Sequence, residues 1–151
     1  MERFEENSYS GAKLNFYRNL PKSAPKAIVH ISHGMAEHAG RYEWFMQTLM
    51  EAGYAVYAHD IRGHGYTYAS DSFKGHFSDK HGLDKLLHDL DFAIHLIKKN
   101  HPNVPIFCFG HSLGSILLLR YATSMYHRIN GIACWNRSEE HTSELQSPVT
   151  I

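Results

Sequence analysis

Short apolar runs alternate with longer amphipathic segments along most of this chain, and that alternation limits its fold more than any other feature. The runs with the length and composition of strands span residues 27–31, 54–58 and 104–109. The segments with apolar residues every three or four positions span 41–52, 83–97 and 115–122. Parallel neighbours in a sheet need such helical crossovers, so helices are expected on both faces. The predicted fold class is α/β, with a mostly parallel sheet flanked by helices.

Two further strands are expected outside this alternating core. Residues 11–18 alternate as a half-buried strand does, and the turn formers Asn19 and Pro21 follow, which indicates a strand near an edge of the sheet. Residues 129–135 begin as another strand after the last helix. The polar, glycine-containing residues 70–80 predict a surface loop.

A glycine-flanked serine lies at one of the predicted strand-to-helix junctions. The pentapeptide GHSLG at 110–114 separates the strand at 104–109 from the helix at 115–122, with Ser112 at its centre. A serine on such a sharp turn has strained backbone angles, and the glycines avoid collisions with the neighbouring strand and helix. Its hydroxyl stands at the start of a helix whose unpaired amides can stabilise an oxyanion. This context predicts that Ser112 is a nucleophile.

Three loops are expected to meet at one edge of the sheet. Ligands of parallel sheets bind at the carboxyl ends of the strands. That edge would gather the segment His33-Gly34-Met35, the turn at 60–65 and Ser112 around a single pocket. Within the turn, Asp60, Arg62 and His64 are expected to have a structural, turn-stabilising role.

Charge and histidine spacing exclude several other functions. Fifteen Lys plus Arg balance fifteen Asp plus Glu, so neither nucleic-acid binding nor a polybasic membrane anchor is expected. Thirteen histidines suggest a metal site, but the spacing of His33 and His38 fits neither form of the zinc-protease motif. No metal and no cofactor are expected, and a metal hydrolase built on His33 and His38 is the last-ranked alternative. His88 and His95 fall on the polar face of the helix at 83–97, as does Asp89.

The N-terminal residues and the cysteines indicate an intracellular, soluble chain. The start MERFEENSYS is acidic and polar where a secretory signal would be basic and then apolar, and no run is long enough to span a membrane. A cytoplasmic location is therefore predicted. Cys108 and Cys134 both lie in apolar, strand-like runs and are expected to be small buried side chains rather than disulfide partners or ligands.

Three ordered blocks resemble the α/β-hydrolases, within them the monoacylglycerol lipase and lysophospholipase-like group that is also classed with serine aminopeptidases. The blocks are HGMAEHAGRY at 33–42, DIRGHG at 60–65 and GHSLG at 110–114, and the resemblance runs from about residue 10 to residue 135. It implies that Ser112 is the nucleophile and that the backbone amides of Met35 and Leu113 form the oxyanion hole. The implied substrate is a small-molecule ester or lipid.

The same resemblance implies that part of the fold lies beyond this chain. In α/β-hydrolases the acid and the histidine of the triad follow the serine, and only 39 of the 151 residues follow Ser112. Residues 1–136 are therefore expected to be the N-terminal portion of a single α/β-hydrolase domain, without its later strands and its substrate-covering cap. Such a cap would supply any transient contact with a membrane surface. Residues 137–151 resemble a translated sequencing adapter and are expected to be a non-native tail, the alternative being a genuine disordered terminus.

Functions from different classes follow from these observations. The first is a serine hydrolase that cleaves carboxylic esters through an acyl-enzyme at Ser112, with a peptidase or amidase of the same fold as the runner-up. The second is a catalytically inactive fragment. His111 is expected to diverge from Ser112 on the sharp turn, so it cannot easily serve as the base. Asp89 and Asp91 precede the serine, whereas the triad acid follows it in the family. The strand at 129–135 would also lack its outer neighbours, so the 151-residue chain is expected to be poorly soluble or partly molten.

Overall fold

The computed structural model describes residues 1–125 and 128–135, so the predicted tail at 137–151 lies outside the described residues and stays a prediction. The strands are β1 (Glu2–Asn7), β2 (Lys13–Asn19), β3 (Ile28–Ser32), β4 (Ala55–His59), β5 (Ile106–His111) and β6 (Gly131–Trp135). The helices are α1 (Glu43–Glu51), α2 (Gly82–Asn100) and α3 (Leu113–Met125), and a short 3-10 turn (Ala39–Tyr42) leads into α1.

These strands form one sheet in the order β1-β2-β4-β3-β5-β6. The central strand β3 runs parallel to β4 and β5, and β6 runs parallel to β5. Strand β2 is antiparallel to both β1 and β4. The predicted α/β class with a mostly parallel sheet is confirmed, with an antiparallel hairpin added at one side.

The two faces of the sheet carry different helices. On one face, Leu90, Ile94 and Ile97 of α2 and Leu118 and Tyr121 of α3 pack on side chains of β3, β4 and β5. On the other face, Met46 of α1 packs among residues of β2, β3 and β4. Successive side chains of a strand point to opposite faces, so central strands with helices on both sides need apolar residues at nearly every position. The near-continuous apolar runs in the sequence have this cause.

Strand β2 is more buried than its alternation predicts. Leu14 and Phe16 lie in a cluster with Ala93 of α2, while Tyr17 faces the opposite side with Met46. The expectation of a half-buried strand was wrong because both faces of β2 are covered, one by α2 and the other by α1. Strand β1, which has mostly exposed side chains and was not predicted, pairs along the outer side of β2. A strand made largely of charged residues gives no periodic apolar signal, so only its pairing with β2 defines it.

Some side-chain environments also differ from those expected. Cys108 is buried as predicted, and burial raises the pKa of its thiol to about 12. Cys134 is exposed instead of buried, and it lies near the end of β6, an outer strand of the described sheet. His88 and His95 are exposed as predicted. No helix of the described ranges, 1–125 and 128–135, is both long and apolar enough to cross a membrane.

Candidate active site

Ser112 alone forms the connection between β5 and α3. Strand β5 ends at His111 and helix α3 begins at Leu113, and Ser112 has a φ of +53°. Non-glycine residues rarely adopt this left-handed conformation, which costs about 1–3 kcal/mol. The serine amide donates to the carbonyl of Trp135 at 3.1 Å, and the serine carbonyl accepts from the amide of Ile116 at 3.2 Å. The surrounding backbone therefore holds the residue in its unusual conformation.

The flanking glycines are required because main chains touch at this junction. A Cβ atom on Gly110 would lie 2.6 Å from the amide nitrogen of Ser115. A Cβ atom on Gly114 would lie 2.0 Å from the carbonyl oxygen of Ser32 at the end of β3. Helix α3 thus begins directly against the carboxyl ends of β3 and β5, where a side chain has no room.

The loop after β3 lies against the same junction. A Cβ atom on Gly34 would be 2.9 Å from Nδ1 and 3.2 Å from the carbonyl oxygen of His111. Met35, the next residue, is therefore at the same end of the sheet as Ser112, and its side chain is 61% exposed. Leu113 is half-buried and packs towards Ile61 and helix α2. The structure brings the three residues proposed for the site, Met35, Ser112 and Leu113, to one edge.

The amides of the loop after β3 are not equivalent. The amide of Gly34 donates to Oε1 of Glu37 at 2.5 Å, and the amide of Ala36 donates to Nε2 of His64 at 3.3 Å. No hydrogen-bond acceptor for the amide of Met35 occurs among the described residues, nor one for the amide of Leu113. Both main-chain donors implied for the oxyanion hole are thus free of partners within ranges 1–125 and 128–135.

Glu37 is a site residue that sequence reasoning missed. Besides the Gly34 amide, its Oε1 accepts hydrogen bonds from the hydroxyl of Tyr42 at 2.7 Å and from Nδ1 of His111 at 2.9 Å. Burial tends to raise the pKa of Glu37, but the hydrogen bonds from Tyr42, Gly34 and His111 hold it below its usual value. The carboxylate is therefore charged. The three-residue spacing from Gly34, like that of a capping box, is the signal that could have indicated this contact.

His33 is locked between two loops as a neutral ring. Its Nδ1 donates to the carbonyl of Gly34 at 2.7 Å, and its Nε2 accepts from the amide of Ile61 at 2.9 Å. Burial lowers the pKa of His33 to about 4. Both ring nitrogens are engaged, which opposes the alternative of a metal held by His33 and His38. No cluster of three or more potential metal ligands occurs in the part of the chain that the structure describes.

The turn after β4 is organised around the buried carboxylate of Asp60. Its two oxygens accept from the side-chain amide of Asn15 and the main-chain amide of Ala39, both at 2.8 Å, and from the amide of Tyr66 at 2.9 Å. A Cβ atom on Gly65 would lie 2.1 Å from this carboxylate, and Gly65 has a φ of +52°. These contacts support the turn-stabilising role predicted for Asp60.

Known proteins resemble the chain across the region that carries these loops. The family model described as serine aminopeptidase, S33, matches residues 23–136. The chain belongs to the serine aminopeptidase S33 family of α/β-hydrolases, in its monoacylglycerol lipase-like group. The resemblance noted from the three sequence blocks is thereby confirmed.

Similar proteins of this family include several lipases. Monoglyceride lipase of Rattus norvegicus is 33% identical over 112 residues, which cover 74% of this chain and 35% of the relative. Monoacylglycerol lipase of Mycolicibacterium smegmatis is 36% identical over 119 residues, which cover 77% of this chain and 40% of the relative. The chain therefore spans well under half the length of either relative.

Solved structures of α/β-hydrolases share the fold. A thermostable carboxyl esterase from Bacillus coagulans superimposes with a TM-score of 0.77 and 29% identity, covering 88% of this chain and 43% of the esterase. An epoxide hydrolase from Vigna radiata superimposes with a TM-score of 0.71 and 20% identity, covering 88% of this chain and 37% of the epoxide hydrolase. At that identity the likeness shows the shared fold alone.

The candidate site lacks one group within the described residues, a base for Ser112. No histidine nitrogen or carboxylate in ranges 1–125 and 128–135 accepts a hydrogen bond from the Ser112 hydroxyl. His111, the adjacent histidine, directs its Nδ1 at Glu37 instead. This agrees with the expectation that neighbouring side chains diverge on the sharp turn. A serine hydroxyl without a base is a weak nucleophile.

Proposed function

We propose that this chain is part of a serine hydrolase that cleaves carboxylic esters through an acyl-enzyme at Ser112. The observation that carries the proposal is the left-handed Ser112 at the strand-to-helix turn, between glycines whose main chains touch their neighbours. That geometry is typical of a nucleophile elbow, which presents a hydroxyl above the sheet at a helix N-terminus. The main-chain amides of Met35 and Leu113 are proposed to bind the oxyanion.

The proposed reaction has two steps. In the first, Oγ of Ser112 bonds to the ester carbonyl carbon while its proton passes to the base, and the carbonyl oxygen becomes an oxyanion. The carbon–oxygen bond to the alcohol then breaks, and the alcohol takes the proton from the base. In the second step a water molecule repeats the attack, releasing the carboxylic acid and restoring the serine. The two amides stabilise the oxyanion in both steps, and removing one such donor typically costs about 10²–10³ in rate.

The acid and base of the triad are proposed to lie beyond residue 136. Two facts support this: Ser112 has no base among the described residues, and the relatives are more than twice as long as the part this chain matches. The 151-residue polypeptide by itself is therefore proposed to be inactive. A longer product of the same gene would carry the activity, in the cytoplasm.

The proposed substrates are monoacylglycerols or lysophospholipid-like esters. Support comes from the similar proteins named as monoglyceride and monoacylglycerol lipases, and from the exposed, apolar residue Met35 at the same end of the sheet as the serine. Peptide or amide hydrolysis is the second candidate, because the matching family model is described as a serine aminopeptidase.

The test compares two proteins and their Ser112→Ala variants. One is the 151-residue chain. The other is the product of the uninterrupted gene, which is the longer protein that continues past residue 136 without the adapter-like residues 137–151. We expect a fluorophosphonate probe to label the longer product, to leave its Ser112→Ala variant unlabelled and to leave the 151-residue chain unlabelled. Turnover of a monoacylglycerol but not of an amino-acid anilide would favour the ester function. The opposite preference would establish the amidase alternative, and an unlabelled longer product would overturn the serine mechanism.

A further inference from the structure

Three consecutive amides in the loop after β3 have different partners. The amides of Gly34 and Ala36 each donate to a side chain, whereas the amide of Met35 between them has no acceptor among the described residues. The two acceptors, Glu37 and His64, come from different segments of the chain. The loop is thus held on both sides of one unpaired donor.

Glu37 is well placed to hold its side of the loop. Its side chain is only 9% exposed, and its Oε1 receives the Gly34 amide at 2.5 Å together with Tyr42 and His111. Its other oxygen lies 3.6 Å from the guanidinium of Arg41. A carboxylate with several donors has one preferred position, so it fixes the direction of the Gly34 amide. His111, which donates to the same oxygen, is the residue directly before Ser112.

His64 holds the other side. Its Nδ1 lies 3.0 Å from the carbonyl of Arg62 and must donate to it, so its Nε2 is left as an acceptor for the amide of Ala36. The ring is buried next to the rings of Phe77 and His33, which restrict its orientation. Ala36 has a φ of +58°, an unfavourable conformation for alanine that this contact helps to hold.

We propose that Glu37 and His64 are positioning residues that aim the amide of Met35 at the oxyanion by binding the amides on either side of it. This role rests on the proposed esterase function. An oxyanion donor is effective only when its direction is set before the reaction, because a loop that must reorganise loses most of the stabilisation. Neither side chain touches the reacting atoms. Loss of either contact should therefore lower the rate of the chemical step and leave substrate binding nearly unchanged.

The experiment measures steady-state hydrolysis of a 4-nitrophenyl ester by the product of the uninterrupted gene. We expect Glu37→Ala to lower kcat about tenfold to a hundredfold, with KM changed less than about twofold. Glu37→Gln keeps an acceptor for the Gly34 amide and should retain activity within about threefold of the unmodified protein. The matched control is Glu43→Ala, which removes an exposed glutamate of α1 and should leave kcat unchanged.

A second pair of variants tests the other side of the loop. His64→Ala should lower kcat, and His64→Gln, which can place an oxygen near the position of Nε2, should restore part of it. If Glu37→Ala is insoluble, Glu37→Asp supplies the same test, since it keeps the charge but withdraws the acceptor from Gly34. Unchanged kcat in Glu37→Ala and His64→Ala, or a raised KM at unchanged kcat, would overturn the positioning role. Absence of Ser112-dependent hydrolysis in the unmodified protein would instead overturn the proposed function, and this role with it.

Discussion

At the scale of single residues, Gly114 allows the main chains of α3 and β3 to touch at the candidate site. The first turn of α3 approaches the end of β3 so closely that a Cβ atom on Gly114 would stand 2.0 Å from the carbonyl oxygen of Ser32. The obstacle is backbone, which cannot rotate away as a flexible side chain could. Either α3 or β3 must move to admit even a methyl group.

We therefore expect Gly114→Ala to destabilise the product of the uninterrupted gene, the protein used for this and the following unfolding measurements, by about 3 kcal/mol or more, at the upper end of the cost of overpacking. The measurement is the free energy of unfolding from urea titrations followed by tryptophan fluorescence at high dilution. The matched control is Gly82→Ala at the start of α2, where the new Cβ would meet only Cβ of Phe77 at an ordinary 3.5 Å. Equal unfolding midpoints for the two variants would contradict the contact at Gly114.

Buried histidines are a second feature of the residue scale. His30, His33, His59 and His64 are buried, unlike His88 and His95 on the polar face of α2. Nε2 of His30 lies 3.1 Å from Nδ1 of His59, so one ring donates and the other accepts while both are neutral. Nδ1 of His30 has no partner among the described residues. Protonating either ring would place an uncompensated charge in the core.

Acid should therefore unfold this protein through its histidines. Burial lowers the pKa of His30 and His33 to about 4, and burial together with His30 lowers that of His59 well below its ordinary value. The unfolded chain binds these protons near pH 6.5 and the folded chain does not, so stability present above pH 6.5 is lost as pH falls towards 4. Each histidine contributes up to about 1.4 kcal/mol per pH unit in that window.

The check is the free energy of unfolding measured at several pH values between 7 and about 4. His30→Leu should reduce the slope by about one proton, whereas His88→Leu, which replaces an exposed ring, should leave it unchanged. A slope close to zero in the unmodified protein would show that these rings are not neutral in the folded state.

At the scale of elements, the guanidinium of Arg62 joins the turn after β4 to three other segments in the interior. It donates to Asp89 of α2 at 3.1 Å, to Asp71 at 2.8 Å, to the carbonyl of Phe77 at 3.2 Å, and to the carbonyl and hydroxyl of Ser10 at 2.9 and 3.0 Å. Asp89 is 1% exposed, so its predicted position on the polar side of the helix was wrong. Arg62 thus ties the predicted loop at 70–80 and the turn between β1 and β2 to α2.

Removing only one member of the buried ion pair between Arg62 and Asp89 should lower the free energy of unfolding strongly. Arg62→Met leaves the carboxylate of Asp89 buried without its cation, and we expect a loss of about 3–5 kcal/mol in the free energy of unfolding. Arg62→Lys should restore little, because a lysine ammonium cannot reproduce the fork of five donors. The double variant Arg62→Met with Asp89→Leu should recover part of the loss.

The control for this prediction is an ion pair at the surface. Lys13 lies 2.7 Å from Glu5 with both side chains substantially exposed, and Lys13→Met should barely move the urea midpoint. If Arg62→Met shifted the urea midpoint as little as Lys13→Met does, the result would contradict the role of the Arg62 network in holding these elements together.

At the scale of the whole molecule, β6 forms an outer strand of the described sheet. It pairs with β5 on one side, and no described strand pairs along its other side. Trp135 is 65% exposed and Cys134 is exposed as well. An outer strand with free main-chain groups and exposed apolar side chains is a template for association.

We therefore expect the isolated 151-residue chain to associate or to unfold without a sharp transition, and the product of the uninterrupted gene to be a stable monomer or defined oligomer. Light scattering after size-exclusion chromatography, together with thermal scans by circular dichroism, distinguishes the outcomes. A sharp, reversible thermal transition of a soluble 151-residue monomer would contradict this expectation.

The residue pattern alone was sufficient for the α/β class, for the succession of central strands and helices along the chain, and for the position of the serine at the turn between β5 and α3. Those features depend on local periodicity and on glycines, whose effects act over a few neighbouring residues. The polar contacts among Glu37, His64 and the loop after β3, the burial of Asp89 beside Arg62, and the exposure of Cys134 were decided by tertiary structure. Each depends on partners far apart in the chain, and the burial of a polar side chain is favourable only when folding brings such a partner to it.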